Sequence, residues 1–177
     1  MQGEPQSSGL LYWLRVMVIG RKPKRTLVRL VMLVVVTTVV FAFVLRPVRI
    51  TGGSMEPTYH DHSINFINRL AYLRHPPQRG DVVGVRITGD HVMYMKRIVG
   101  LPGEAVSFSD GHVCIDGVPQ EEPYLKFTSH WEVPPITLRS DEYYVVGDNR
   151  TMPPQDHTRG AARLTHISGR ILFPGNR

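Results

Sequence analysis

Three short segments of this chain put reactive side chains where the backbone would expose them. The first is Thr51-Gly52-Gly53-Ser54-Met55-Glu56-Pro57-Thr58. Two glycines ahead of a serine open conformations closed to residues with a Cβ and let another chain approach closely. Pro57 biases Glu56 away from the helical region, which predicts a loop around Ser54. That serine is either a nucleophile on a bare turn or part of an ordinary Gly-Gly-Ser turn. The second is the run His91-Val92-Met93-Tyr94-Met95-Lys96-Arg97-Ile98-Val99. Strand alternation gives Lys96 one face with Tyr94 and Ile98, and gives Arg97 the other with Met95. Apolar neighbours strip water from an ammonium and lower its pKa. A fall to roughly 8 costs on the order of 3 kcal/mol and yields an amine able to take a serine proton near neutral pH. The plainer reading is an edge-strand lysine with its charge in water. The third segment, Tyr143-Tyr144-Val145-Val146-Gly147-Asp148-Asn149-Arg150, is a β-run ending in a turn whose carboxylate and amide can fix neighbouring loops.

The elements that must hold these groups read as short strands. Ser63 to Ile67, Asp81 to Ile87, His91 to Val99, Ala105 to Phe108, His112 to Ile115, Glu142 to Val146 and Gly169 to Phe173 each have strand composition. Ser109-Asp110-Gly111 predicts a hairpin turn, and Asp116-Gly117 predicts a second turn. Glu121 to Arg139 is rich in proline and reads as an irregular excursion. Short strands at this spacing predict a mainly β domain, an all-β sheet or partly open barrel.

Charge is distributed unevenly. Met1 to Arg49 carries eight Lys/Arg against one Glu, whereas Ile50 to Arg177 carries thirteen against fourteen acids. The basicity therefore belongs to the N-terminal part, and the main domain has no field for nucleic acid. Cys114 is the single cysteine, so no intrachain disulfide or thiolate metal site is expected. His60-Asp61-His62 is the one close His/Asp grouping and reads as a solvated loop, with no metal expected.

Leu27 to Leu45 is apolar apart from Arg29, Thr37 and Thr38 and long enough to cross a bilayer, which predicts an anchor over residues 27–46. It ends in Leu45-Arg46-Pro47-Val48-Arg49 without a small-residue cleavage site, so it reads as a retained anchor. Arg15, Arg21, Lys22, Lys24 and Arg25 precede it, and Arg46 and Arg49 follow. The positive-inside rule then puts residues 1–26 in the cytoplasm and residues 47–177 outside. Leu10 to Ile19, with Tyr12 and Trp13, is either an interfacial helix on the cytoplasmic leaflet or a frayed tail.

In order along the chain, Gly53-Ser54-Met55-Glu56-Pro57-Thr58, Arg79-Gly80-Asp81-Val82-Val83, Lys96 through Glu104, and Gly147-Asp148-Asn149-Arg150 resemble the type I signal peptidases. The resemblance runs from about Ile50 to Phe173. It implies a signal-peptidase-like coiled β-sheet domain behind one transmembrane helix, at a cell inner (plasma) membrane. It also implies a serine endopeptidase that removes signal peptides from preproteins. Ser54 would be the nucleophile and Lys96 the general base; the oxyanion hole would use the Ser54 N–H beside Gly53. The hydroxyl that some members carry two residues before the nucleophile is replaced here by Gly52. Asp148, Asn149, Asp156 and Arg159 would support the site, and Ile50, Met93, Tyr94 and Met95, with Val48 and Arg49, would line shallow pockets for small substrate residues. Preprotein signal peptides and membrane lipids are the implied partners; no metal or organic cofactor is implied. The chain departs from the family after Arg150: Pro153 stands where a lysine-orienting serine is usual, and Asp156 comes one residue late. Thr151 and Thr158 are the alternatives for orienting Lys96.

The main competing reading is a non-catalytic membrane-tethered β-module of the same fold, supported by the altered segment from Thr151 to Arg159. Self-cleaving repressors also use serine and lysine, but they need a DNA-binding domain and no anchor. A mitochondrial inner-membrane peptidase would share the same chemistry.

Overall fold

The computed structural model describes residues 23–86, 93–125, 129–153, 155, 157 and 159–173. The chain divides into two compact units, Met1–Ala42 and Phe43–Arg177. Helix α1 (Pro23–Val39) continues through a π-helical turn, Val40–Val44, as one 22-residue helix long and apolar enough to cross a membrane. None of the α1 side chains is buried. An apolar surface on every side of a helix is what a lipid environment selects. The sequence placed the anchor at 27–46; the helix starts four residues earlier, and Leu45 and Arg46 already belong to a strand. The 10–19 segment lies outside the described residues.

In chain order the strands of the second unit are β1 (Leu45–Arg49), β2 (Ile64–Asn68), β3 (Val82–Val85), β4 (Tyr94–Gly100), β5 (Ala105–Ser109), β6 (His112–Ile115), β7 (Val118–Pro119), β8 (Val133–Thr137), β9 (Glu142–Val146), β10 (Gly160–Arg163) and β11 (Ile167–Ile171). They form a seven-stranded sheet, order β1-β2-β11-β3-β4-β9-β10, and a four-stranded sheet, order β7-β6-β5-β8, with antiparallel pairing throughout. The larger sheet ends at β1 and β10 and the smaller at β7 and β8, so neither closes into a barrel.

Three core clusters follow from strand alternation. On β9, Tyr144 and Val146 join Val99, Val106, Phe108, Val113 and Trp131, a cluster drawn from both sheets. Tyr143 and Val145, on the opposite face, join Val83, Val85 and Ile98. Both faces of β9 are therefore buried, which explains its unbroken aromatic and β-branched sequence. A third cluster, Ile50, Met55, Tyr59, Ile67, Val82 and Ile171, sits beneath the serine segment.

Strands β1, β7, β8 and β10 escaped the sequence reading, the last two for clear physical reasons. Part of the supposedly irregular 121–139 stretch is strand β8, whose Pro134 and Pro135 are tolerated because β8 is an edge. Strand β10 reads Gly-Ala-Ala-Arg and carries almost no strand signal of its own; it pairs with β9 as an edge. The two Asp-Gly turns form as expected. Asp110 and Gly111 have φ of 46° and 76°, and Asp116 and Gly117 have 51° and 81°, the two-residue pattern that matches strand twist. A Cβ on Gly111 would lie 1.7 Å from the Ser129 carbonyl oxygen, whereas one on Gly117 would meet nothing within 4 Å. Gly117→Ala is expected to cost about 1 kcal/mol and Gly111→Ala at least about 2 kcal/mol in urea unfolding of the detergent-solubilised chain. Equal losses would contradict the packing of residue 129 on this hairpin.

Candidate active site

The serine segment is pinned at both ends. The Ile50 N–H donates to the Ser63 carbonyl at 2.9 Å and the Ile50 carbonyl accepts the His62 N–H at 2.9 Å. Within the loop, Gly52 N–H donates to Asp61 Oδ1 at 2.9 Å, Glu56 N–H to the Gly53 carbonyl at 3.1 Å, and Tyr59 N–H to the Met55 carbonyl at 2.9 Å. Met55 and Tyr59 are buried, which anchors the turn and leaves Ser54 partly accessible. The bond from Gly52 is the main reason the Asp61 carboxyl is held below its usual range. His60-Asp61-His62 is thus a loop tie, and among the described residues no group of three or more His, Cys, Asp or Glu could hold a metal.

Strand β4 brings Lys96 to this loop. Lys96 lies opposite Val83 and Arg97 opposite Val82 in the β3–β4 ladder, so the two cations leave the strand in different directions. The Lys96 Nζ is 2.9 Å from Ser54 Oγ, and the lysine is 1% exposed. Burial pulls its pKa down to about 8, against a smaller upward pull from the Asp148 carboxylate. Ser54 Oγ is the one hydrogen-bond partner of the amine among the described residues.

The turn after β9 grips the same loop. Asn149 N–H donates to the Ser54 carbonyl at 3.0 Å and Asn149 Nδ2 to the Gly53 carbonyl at 2.9 Å. These contacts occupy the carbonyls of Gly53 and Ser54, while the Ser54 N–H donates to none of the described residues. Gly147 is required here by contact: a Cβ would stand 2.1 Å from the Ser54 carbonyl oxygen and 2.6 Å from the His157 ring. Asp148 takes two bonds from Arg97, Nε to Oδ1 at 2.9 Å and Nη2 to Oδ2 at 2.6 Å. The Asp148 side chain is fully buried, and a guanidinium–carboxylate pair of this kind costs about 3–5 kcal/mol to break from one side. Arg97 also donates to the Gly80 carbonyl and stacks 3.8 Å from the centre of the Tyr124 ring. Burial works against its charge, but Asp148, with smaller help from Tyr124 and Tyr59, reinforces the charged form by more.

The remaining sequence assignments sort as follows. Arg159 Nη1 donates to the Tyr144 hydroxyl at 3.1 Å and the guanidinium lies 5.5 Å from the Trp131 ring. Asp156 and Thr158 fall outside the described residues. The Thr151 hydroxyl donates to Asn149 Oδ1 at 2.6 Å, so it braces Asn149 and does not reach the lysine. Ile50, Met93, Tyr94 and Met95 line a cleft of about 250 Å³ that also includes Ser54 and Val48. Sequence reasoning missed Glu122 and Tyr124. Glu122 accepts two bonds from the wholly buried Arg150, Nη2 to Oε1 at 2.5 Å and Nη1 to Oε2 at 3.1 Å, and Tyr124 donates to Glu122 at 2.6 Å. Arg150 Nε in turn donates to the Gly147 carbonyl at 2.9 Å. A glutamate and tyrosine in a proline-rich excursion carried no local signal; only a fully buried arginine, which demands a carboxylate, points to them.

A sequence model of the family described as signal peptidase, peptidase S26, matches residues 24–174. Signal peptidase I of Bacillus amyloliquefaciens is 32% identical over 162 residues, 83% of this chain and 86% of its own length. Signal peptidase I of Bacillus licheniformis is 32% identical over 164 residues, 83% and 87% of the two lengths. The probable signal peptidase I-2 of Synechocystis sp. is 31% identical over 148 residues, 77% and 68% of the two lengths. With the match running from the apolar helix to the last strand, the chain belongs to the signal peptidase family, peptidase S26.

Proposed function

We propose that this chain is a membrane-anchored serine endopeptidase that removes N-terminal signal peptides from exported preproteins, with Ser54 as nucleophile and Lys96 as general base. The observation that carries the reading is the 2.9 Å contact between a buried lysine amine and a serine hydroxyl on a loop fixed from three sides. Lys96 as the neutral amine takes the Ser54 proton, and Ser54 Oγ attacks the scissile carbonyl. The Ser54 N–H, left without an internal acceptor among the described residues, donates to the oxyanion. Protonated Lys96 gives its proton to the leaving amine; the freed amine then activates a water that hydrolyses the ester on Ser54. The cleft lined by Ile50, Met93, Tyr94 and Met95 holds the small residues before the cut. Asp148 acts through Arg97, and Asn149 through the two loop carbonyls; Arg159 braces the Trp131 side.

Helix Pro23–Val44 serves as the lipid-embedded anchor. The basic residues before it set the N-terminus in the cytoplasm and the catalytic unit on the outer side of the plasma membrane. Signal peptides, themselves lipid-embedded, are thereby met at the same surface.

Cleavage of a preprotein bearing an Ala-X-Ala site tests the assignment. Ser54→Ala and Lys96→Met are each expected to lower kcat by about a thousandfold or more while the far-UV circular dichroism is retained. Robust cleavage by Ser54→Ala ends the nucleophile assignment. The pH dependence has a fixed sign. Below about 8 the amine carries a proton and cannot accept another, so kcat/KM should rise about tenfold per pH unit up to that value and then level off. A profile flat from pH 6 to 9 contradicts the lysine as base.

A further inference from the structure

Among the described residues, the lining of the cleft that holds Ser54 includes Arg46 and Arg49 and no Asp or Glu. Both arginines lie on β1, at the edge of the larger sheet, and both are exposed. Among the described residues neither guanidinium makes an ion pair or side-chain hydrogen bond. Arg49 helps to hold the Asp61 carboxyl low. That carboxylate keeps its charge while tied to its own loop. Oδ1 accepts the N–H groups of Gly52 and His62, and Oδ2 faces His62 Nε2 at 3.4 Å. Two exposed cations on the strand that borders apolar Val48, Ile50 and Met95, one of them partly offset by Asp61, raise the positive potential where a substrate chain must lie.

We propose that Arg46 and Arg49 are specificity-determining residues, and that this enzyme favours preproteins with an acidic side chain within about five residues of the scissile bond. The inference rests on the proteolytic reading and adds a substrate class to it. Arg49 stands five residues before Ser54, which at about 3.3 Å per residue bounds their separation at roughly 17 Å, a span that an extended peptide covers with about five residues. Three residues apart on one strand, the two exposed guanidiniums leave β1 on opposite faces, so a carboxylate in that span pairs with one of them at the rim of the cleft. A lysine at the same place is repelled.

The test uses the full chain in neutral detergent with three preproteins that share an Ala-X-Ala site. They carry Glu, Gln or Lys in turn at single positions from five before to five after the cut. At one or more of these positions kcat/KM is expected to follow Glu above Gln above Lys, by about three- to tenfold per step at low salt, with the spread narrowing in 0.5 M NaCl. Arg46→Gln/Arg49→Gln should collapse the ratio to about one, and Arg46→Glu/Arg49→Glu should invert it. Equal rates for Glu, Gln and Lys throughout overturn the charge selection while leaving the peptidase assignment standing. Loss of cleavage of all three by wild type overturns that assignment instead. If the substitutions change every substrate equally, and only in vesicles containing anionic lipid, the arginines serve lipid headgroups and the proposal is wrong.

Discussion

The structure is organised around one amine kept out of water. Lys96 is 1% exposed, opposite fully buried Val83 and two residues from fully buried Ile98, and burial, against a smaller upward pull from Asp148, lowers its pKa to about 8. Holding a lysine there costs roughly 3 kcal/mol relative to an exposed one. The sign is that of a depressed cation: the cost is fully present below pH 8, where folded and unfolded chains both carry the proton. It fades as pH rises toward the ordinary lysine value, so the folded domain gains stability across that window. The burial that imposes the cost comes from the same β3–β4–β9 core that fixes the amine 2.9 Å from Ser54.

A desolvated amine is useful only if its partner cannot drift away. The loop carrying Ser54 has no secondary structure of its own, so its geometry is borrowed. Asn149 holds two of its carbonyls, Asp61 holds its first N–H, and Met55 and Tyr59 sink into the core beneath it. Asn149 is itself set by the residue before it, because the buried Arg97–Asp148 pair locks the turn to β4, the strand that carries Lys96. Consecutive residues on one strand thus divide the labour: in the proposed mechanism Lys96 meets the hydroxyl, and Arg97 fixes the turn that holds the hydroxyl's loop. Arg150 and Glu122 extend the same bracing into the excursion between β7 and β8.

Much of this was legible in the residues, and the illegible parts share a cause. Strands with internal alternation or a strong turn at their ends, such as β5, β6 and β9, declare themselves locally. Strands β8 and β10 do not, since Val-Pro-Pro-Ile-Thr and Gly-Ala-Ala-Arg become strands only by pairing with β5 and β9. The Ser54–Lys96 approach was anticipated through a resemblance of ordered motifs; the spacing of 42 residues says nothing about proximity. The roles of Glu122 and Tyr124 were invisible because they answer a buried charge whose burial is itself a tertiary fact. After Arg150 the turn is closed by Thr151, whose N–H and hydroxyl both donate to Asn149 Oδ1.

The central claim is the state of one amine, and it can be observed directly. The chain has four lysines, so 13Cε-labelled lysine gives four resolvable side-chain signals. One of them, absent in Lys96→Met, is expected to titrate at about 8 in the detergent-solubilised full chain. A Lys96 signal that titrates near 10.4, as a solvated lysine does, would contradict the claim that burial supplies the base.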